Sequence, residues 1–219
     1  LLLFISFNSF VYSQGNRPKE SIKVGLSIED IYNIDYSAST FDIVFWIWVN
    51  SKNELYDIDK YMDIIGSTEV KYTSIYEDTL SNGDFHSERK VTAKILNKFD
   101  VNHFPFDEVK LQLYLEFFKE TSEKINVEFD YSESNLKPDY LGSDNNKFEI
   151  IKPIISKKFY KSNYGNTDIG MNVTYPEIKI PLVLERDKWN IFAKIFITLF
   201  IAFILSSSSI LLPLSMSEE

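Results

Sequence analysis

The sequence His103-Phe104-Pro105-Phe106-Asp107, running directly into Glu108-Val109-Lys110-Leu111-Gln112-Leu113-Tyr114-Leu115-Glu116-Phe117-Phe118, decides how the rest of the chain is read. Proline fixes φ near −65° and removes a backbone donor, so Phe-Pro-Phe-Asp reads as a tight turn. The Asp carboxylate suits the neighbouring backbone N–H groups, and the two phenylalanines are apolar pegs that need a socket. The residues that follow alternate strictly. Val109, Leu111, Leu113, Leu115 and Phe117 form one face, and Lys110, Gln112, Tyr114 and Glu116 form the other. That is the period of a half-buried strand. A turn of this kind also fits an ordinary hairpin corner capping a sandwich.

The same alternation recurs upstream. Phe41, Ile43, Phe45, Ile47 and Val49 share a face against Asp42, Val44, Trp46, Trp48 and Asn50. Ile22 to Asp35 fits a strand with a bend, and Val70 to Ile75 a short strand. Ser81-Asn82-Gly83-Asp84 marks a hairpin turn returning through Phe85 to Leu96. Asp57 to Glu69 reads as an acidic, loop-rich passage. Ile125 to Phe129, Phe148 to Tyr160 (interrupted at Pro153) and Met171 to Glu185 add further strands. About ten short strands separated by turn signals predict a mainly β, immunoglobulin-like β-sandwich, spanning residues 20–186.

Both ends differ from this middle. Leu1 to Tyr12 is apolar and is followed by Ser13-Gln14-Gly15, which reads as the remnant of a signal peptide over residues 1–14. A buried first strand is the alternative. No Met begins the sequence, so a chain cut at its N-terminus is expected. At the other end, Ile195 to Leu214 carries no charge over 20 residues, long enough for a transmembrane helix at 190–215. Trp189 and Lys194 suit the headgroup level.

Composition narrows the function. Of 219 residues 44% are hydrophobic and 16% aromatic, with 13 Tyr and 18 Phe, an excess that favours sheets and interfaces. A net charge of −9 argues against nucleic acid as a partner. Without cysteine there is neither a disulfide scaffold nor a thiolate metal site. His86 and His103 are the only histidines, and no motif with metalloprotease, nucleophile-elbow or phosphate-loop spacing is present. The expectation is therefore a protein that is not an enzyme, with no catalytic residues, metal or cofactor.

Three features together resemble the pentameric ligand-gated ion channel (Cys-loop receptor-like) family, in its cysteine-less bacterial type. They are the Phe104-Pro105-Phe106-Asp107 turn, the Glu116-Phe117-Phe118 strand end, and Glu185-Arg186 ahead of the membrane helix. The resemblance covers roughly Ile22 to Leu214. The cysteines that close this loop in animal members would fall at Asn97 and Leu111. It implies a ligand pocket between adjacent subunits, with Phe118, Tyr160, Tyr164 and Tyr175 from one subunit and Trp46 and Trp48 from its neighbour. Aromatic boxes of this kind attract amines. It implies that Phe104, Pro105, Phe106, Asp107 and Arg186 couple the sandwich to the pore, the arginine's bland alternative being a surface salt bridge. A homopentamer in the plasma (inner) membrane, with the sandwich on the periplasmic side, follows from the same resemblance.

Two departures stand against it. Thr198 occupies the position where relatives often carry a proline, and no second membrane helix follows before Glu219. The expectation is a fragment that lacks the pore-lining helix. The rival expectation is a membrane-anchored β-sandwich binding a protein or glycan partner without channel activity. In either reading, each tyrosine has ordinary strand decoration as its alternative, and the two tryptophans have packing under a local loop.

Overall fold

The computed structural model describes residues 19–100, 102, 108–136, 140–141, 147–162, 171–185 and 188–211. Two sheets and a C-terminal helix make up this part of the chain. The first sheet contains β1 (Glu20–Asp35), β2 (Thr40–Ser51), β4 (Ser67–Thr79), β5 (Phe85–Leu96), β7 (Ile125–Phe129) and the short β8 (Tyr140–Leu141). Its strand order is β4-β5-β2-β1-β7, with β8 also on β1. The second contains β3 (Met62–Ile64), β6 (Val109–Phe117), β9 (Lys147–Ile150), β10 (Ile154–Tyr160) and β11 (Val173–Glu185). Its order is β10-β11-β6-β3, with β9 also on β11. Between β2 and β3 lies a single helical turn, α1 (Ile58–Tyr61), and α2 (Lys188–Leu211) follows β11.

The core lies between the sheets, and alternation put it there. Phe41, Ile43, Phe45, Ile47 and Val49 of β2 are fully buried, facing Leu111, Leu113, Leu115 and Phe117 of β6 and Ile178, Ile180 and Leu182 of β11. Each such side chain contributes about 1.5–3 kcal/mol by leaving water. The β-sandwich with one C-terminal apolar helix read from the sequence is the architecture found.

Two passages fold differently from expectation. Residues 57–69, expected as loop, hold α1, β3 and the start of β4. Asp57 caps α1 by accepting from the Lys60 backbone N–H at 3.3 Å, and buried Ile58, Met62 and Ile64 anchor the passage to the core. Strand β4 runs well beyond Val70–Ile75. Its alternation is hidden by register shifts between Ser67 and Glu69 and between Thr73 and Ile75, and Ser74, at the second, has the φ of 51° that marks a bulge.

At the end where β11 runs into α2, the sheets are tied by a polar side chain. The Asn97 backbone N–H donates to the Ser39 carbonyl at 2.8 Å, and its Nδ2 donates to the Lys110 carbonyl at 3.0 Å. One buried residue, through its backbone N–H and its side-chain amide, thus links the β1–β2 turn, the end of β5 and the start of β6. The Phe104–Asp107 turn that lies between those strands in sequence falls outside the described residues, as does the signal-peptide remnant at 1–14.

Within α2, the 21 residues Trp189–Ser209 are long and apolar enough to cross a membrane, and none of that span is buried against the sandwich. Phe192, Phe196 and Phe200 stack at 6.1 Å spacing along one side. Thr198 donates its hydroxyl to the Lys194 carbonyl at 2.8 Å, satisfying it without a partner helix.

On the outer face of the first sheet, Trp48 lies flat across Gly25, its register partner on β1. A Cβ at Gly25 would sit 2.1 Å from the indole Cε2. Gly25→Val should therefore expel the indole and destabilise the fold by about 1–3 kcal/mol, as overpacking does. The expected readout is a melting temperature lowered by several degrees; an unchanged melting temperature would show that Trp48 does not depend on the gap.

Candidate functional site

Register aligns an unusual row on the outer face of the second sheet. Asp63 of β3 stands opposite Glu116 of β6, Glu116 opposite Glu177 of β11, and Glu177 opposite Ser156 of β10. Directly opposed like charges destabilise a sheet unless something compensates. Here Glu116 and Glu177 are 4% and 3% exposed although they sit on the outward face. They are covered by neighbouring side chains. Tyr160 donates its hydroxyl to Glu116 Oε2 at 2.5 Å, and Ser156 donates to Glu177 Oε1 at 2.9 Å. Lys179 reaches Glu177 at 3.3 Å.

Aromatic rings frame this row. The Tyr160 and Tyr175 rings meet edge to face at 5.9 Å. Phe118, one residue past β6 on the same face as Glu116, is 41% exposed. Its backbone N–H donates to the Tyr61 carbonyl at 3.0 Å, which fixes the strand end against α1. Beside it, Lys119 lies over the Tyr56 and Tyr61 rings at 5.4 and 5.6 Å and pairs with Glu54.

Burial pushes the Glu116 carboxyl above the ordinary glutamate range, and the charges of Asp63 and Glu177 push it the same way. The Tyr160 hydroxyl and Lys158 oppose that shift without cancelling it. By contrast, Asp130, also buried at 3% exposed, is held below the usual aspartate range. There burial is outweighed by bonds from Ser132 and Lys23 and by the Glu133 N–H. The difference is one of partners: Asp130 has a cation at 3.0 Å, whereas Glu116 has two carboxylates in register with it.

The tryptophans lie on the opposite side of the sandwich. Trp46 and Trp48 are partly buried on the outer face of the first sheet, Trp48 on Gly25 and Trp46 beneath Lys90 at 5.6 Å. Lys90 is held there by Glu29 at 2.6 Å. Farther along, His86 Nδ1 meets Asn50 Oδ1 at 2.6 Å, and the His86 ring meets Tyr76 at 6.0 Å.

Neither a family model nor any curated protein matches the chain.

Of the residues expected from sequence to bind a ligand, Phe118, Tyr160 and Tyr175 come together on one face. Trp46 and Trp48 form a separate patch across the core. Tyr164 lies outside the described residues, as do the expected coupling residues Phe104, Pro105, Phe106, Asp107 and Arg186. Glu116 was legible as an outward residue of its strand but not as part of the site. Asp63, Glu177 and Lys158 gave no signal at all, because strand pairing alone brings them together. Among the described residues no three His, Asp or Glu side chains converge as metal ligands. A polar cleft of about 620 Å³ near Asn33, Asp35, Asp42 and Lys94 is separate and holds none of the expected residues.

The sign of the Glu116 effect follows from linkage. Its folded pKa lies above the unfolded value, so the folded state holds the extra proton. Its contribution is favourable at low pH and is lost as pH rises from the ordinary glutamate value through the raised one. The wild type minus Glu116→Gln difference in stability should thus fall with pH over that interval and then level off. Tyr160→Phe, which removes the bond to the ionised form, should move the fall to higher pH. Denaturant melts at a series of pH values measure both; a difference that rises with pH would contradict the assignment.

Proposed function

We propose that this chain is the ligand-binding part of a subunit of a pentameric ligand-gated ion channel, and that its ligand is an amine. The observation that carries the reading is Glu116: a buried, outward-facing carboxylate with two carboxylates in its row, framed by Tyr160, Tyr175 and exposed Phe118. An ammonium group fits such a place twice over. It would neutralise a carboxylate that burial disfavours, and it would gain about 0.5–2 kcal/mol on each aromatic face it meets.

The sandwich has two functional faces rather than one. Phe118, Tyr160 and Tyr175 belong to the second sheet, and Trp46 and Trp48 to the first, with the core between them. Packed sheets stand about 10 Å apart, so one small amine cannot touch both sets within a single chain. A ring of subunits brings the first-sheet face of one copy against the second-sheet face of the next, which is a heterologous interface that closes. Ligand bound there would favour one relative arrangement of neighbours over another.

Helix α2 anchors the domain in a membrane, with the sandwich on the periplasmic side. Phe104, Pro105, Phe106, Asp107 and Arg186 transmit sandwich motion to the pore. The reading is supported by the sequence resemblance and by Asn97, which braces the β5–β6 connection that animal members of the family close covalently.

Titration of the full chain in detergent with butylamine, followed by calorimetry, is the test. Saturable binding is expected, weakened about tenfold or more by Phe118→Ala or Glu116→Gln. Trp46→Ala, on the opposite side of the sandwich, should weaken it as well. Absence of binding would refute the amine site. Binding insensitive to Trp46→Ala would place the site within one subunit and favour an anchored binding module instead.

A further inference from the structure

Arg89 is the least expected charge in the molecule. It lies on the core-facing side of β5, in line with Val91, Ala93 and Ile95, and is 3% exposed. A guanidinium withdrawn from water is costly, and an apolar side chain in the same place is commonly as stable or more so. Its hydrogen bonds show what the charge accomplishes. Nε donates to Asp59 Oδ1 at 2.7 Å, and Nη2 donates to Glu77 Oε1 at 2.5 Å. Nη1 donates to the Glu88 carbonyl at 2.9 Å and to Ser87 Oγ at 3.2 Å.

The two carboxylate arms lead to different places. Glu77 belongs to the outer part of the edge strand β4, beyond its bulge, among exposed residues such as Ile75. Asp59 belongs to α1, which is four residues long and far too short to persist unaided. From α1 the path to the candidate site is direct. The carbonyl of Tyr61, the last residue of the turn, accepts both the Phe118 N–H and the Tyr56 hydroxyl, each at 3.0 Å. Two residues later Asp63 stands in register with Glu116. Helix α1 is therefore held at one end by Arg89 from the first sheet and holds, at the other, the strand end that carries the site on the second.

We propose that Arg89 is a positioning residue for the Glu116–Phe118 site, acting through Asp59 and α1. It sets the place of Phe118 and the distance of Asp63 from Glu116 without touching either. Only the ligand-binding arm of its test rests on the proposed function; the geometric claim stands apart from it.

The two arms supply a matched pair of variants. Asp59 and Glu77 are exposed to nearly the same degree, 36% and 37%, and each gives the guanidinium one charged partner. Asp59→Asn and Glu77→Gln should lower the melting temperature of the full chain by similar amounts. They should differ at the site. With α1 released, Asp63 moves off and water reaches Glu116, so Asp59→Asn should lower the Glu116 titration midpoint by about half a pH unit or more. Glu77→Gln should leave it in place. Carbon-13 NMR of the glutamate carboxyls reads this without any ligand. In parallel, Asp59→Asn should weaken butylamine binding about tenfold, and Glu77→Gln less than about twofold.

Equal shifts in the two variants, or an unmoved Glu116 midpoint in Asp59→Asn, would overturn the proposal and leave Arg89 a structural ion pair. A moved midpoint in a wild-type background that binds no butylamine would uphold the positioning role and refute the amine site instead. Should Asp59→Asn fail to fold, Asp59→Glu keeps the charge while pushing α1 outward by one methylene. It carries the same comparison against Glu77→Gln and is judged by the same midpoint.

Discussion

Everything in this molecule depends on a period of two. Strands β2, β6 and β11 put every second side chain into one shared interior, and that interior leaves no room for a register error: a slip by one residue would exchange Phe45 for Trp46 or Leu115 for Glu116. The hydrophobic energy gathered by the inward set is what permits the outward set to be unfavourable. Like charges aligned across three strands would not survive on a free-standing ribbon. Here the pairing of β3, β6 and β11 is enforced from behind by Ile64, Leu115 and Ile178.

Two buried charges illustrate the opposite ways in which that surplus is used. Arg89 sits inside the sandwich with its hydrogen bonds met by two carboxylates, a hydroxyl and a carbonyl, and those bonds hold its pKa up against burial. Glu116 sits on the outer face with one good hydrogen bond and two like-charged neighbours, and burial pushes its carboxyl above the ordinary glutamate range. The first is a satisfied ion whose partners define geometry. The second has its nearby cation, Lys158, outweighed by burial and by two carboxylates, and a displaced protonation equilibrium of this sort makes a group a candidate for a binding site. Helix α1 joins them, so the interior charge and the surface charge belong to one arrangement.

The sequence made the sandwich legible because alternation is a local property. Phe41 to Val49 and Val109 to Phe117 announce their buried faces without reference to any other residue. It hid β4 because the bulge at Ser74 breaks the period in mid-strand, and it hid α1 because one helical turn is too short to show a period of 3.6. The same distinction governs the site. Phe118 was legible, being an aromatic on a polar face. The Asp63–Glu116–Glu177 row was not, because those residues are separated by more than fifty positions in sequence and meet only through strand pairing. Trp48 shares its face with Asp42 and Asn50, and the gap that receives it is Gly25 on another strand, where no pattern within β2 could point.

The claim on which the functional account turns is that the two outer faces are halves of a site completed by a neighbouring copy. Native mass spectrometry of the full chain released from detergent micelles measures this most directly. The account predicts a complex of five identical chains. A mass corresponding to one chain, under conditions where the sandwich remains folded, would contradict it.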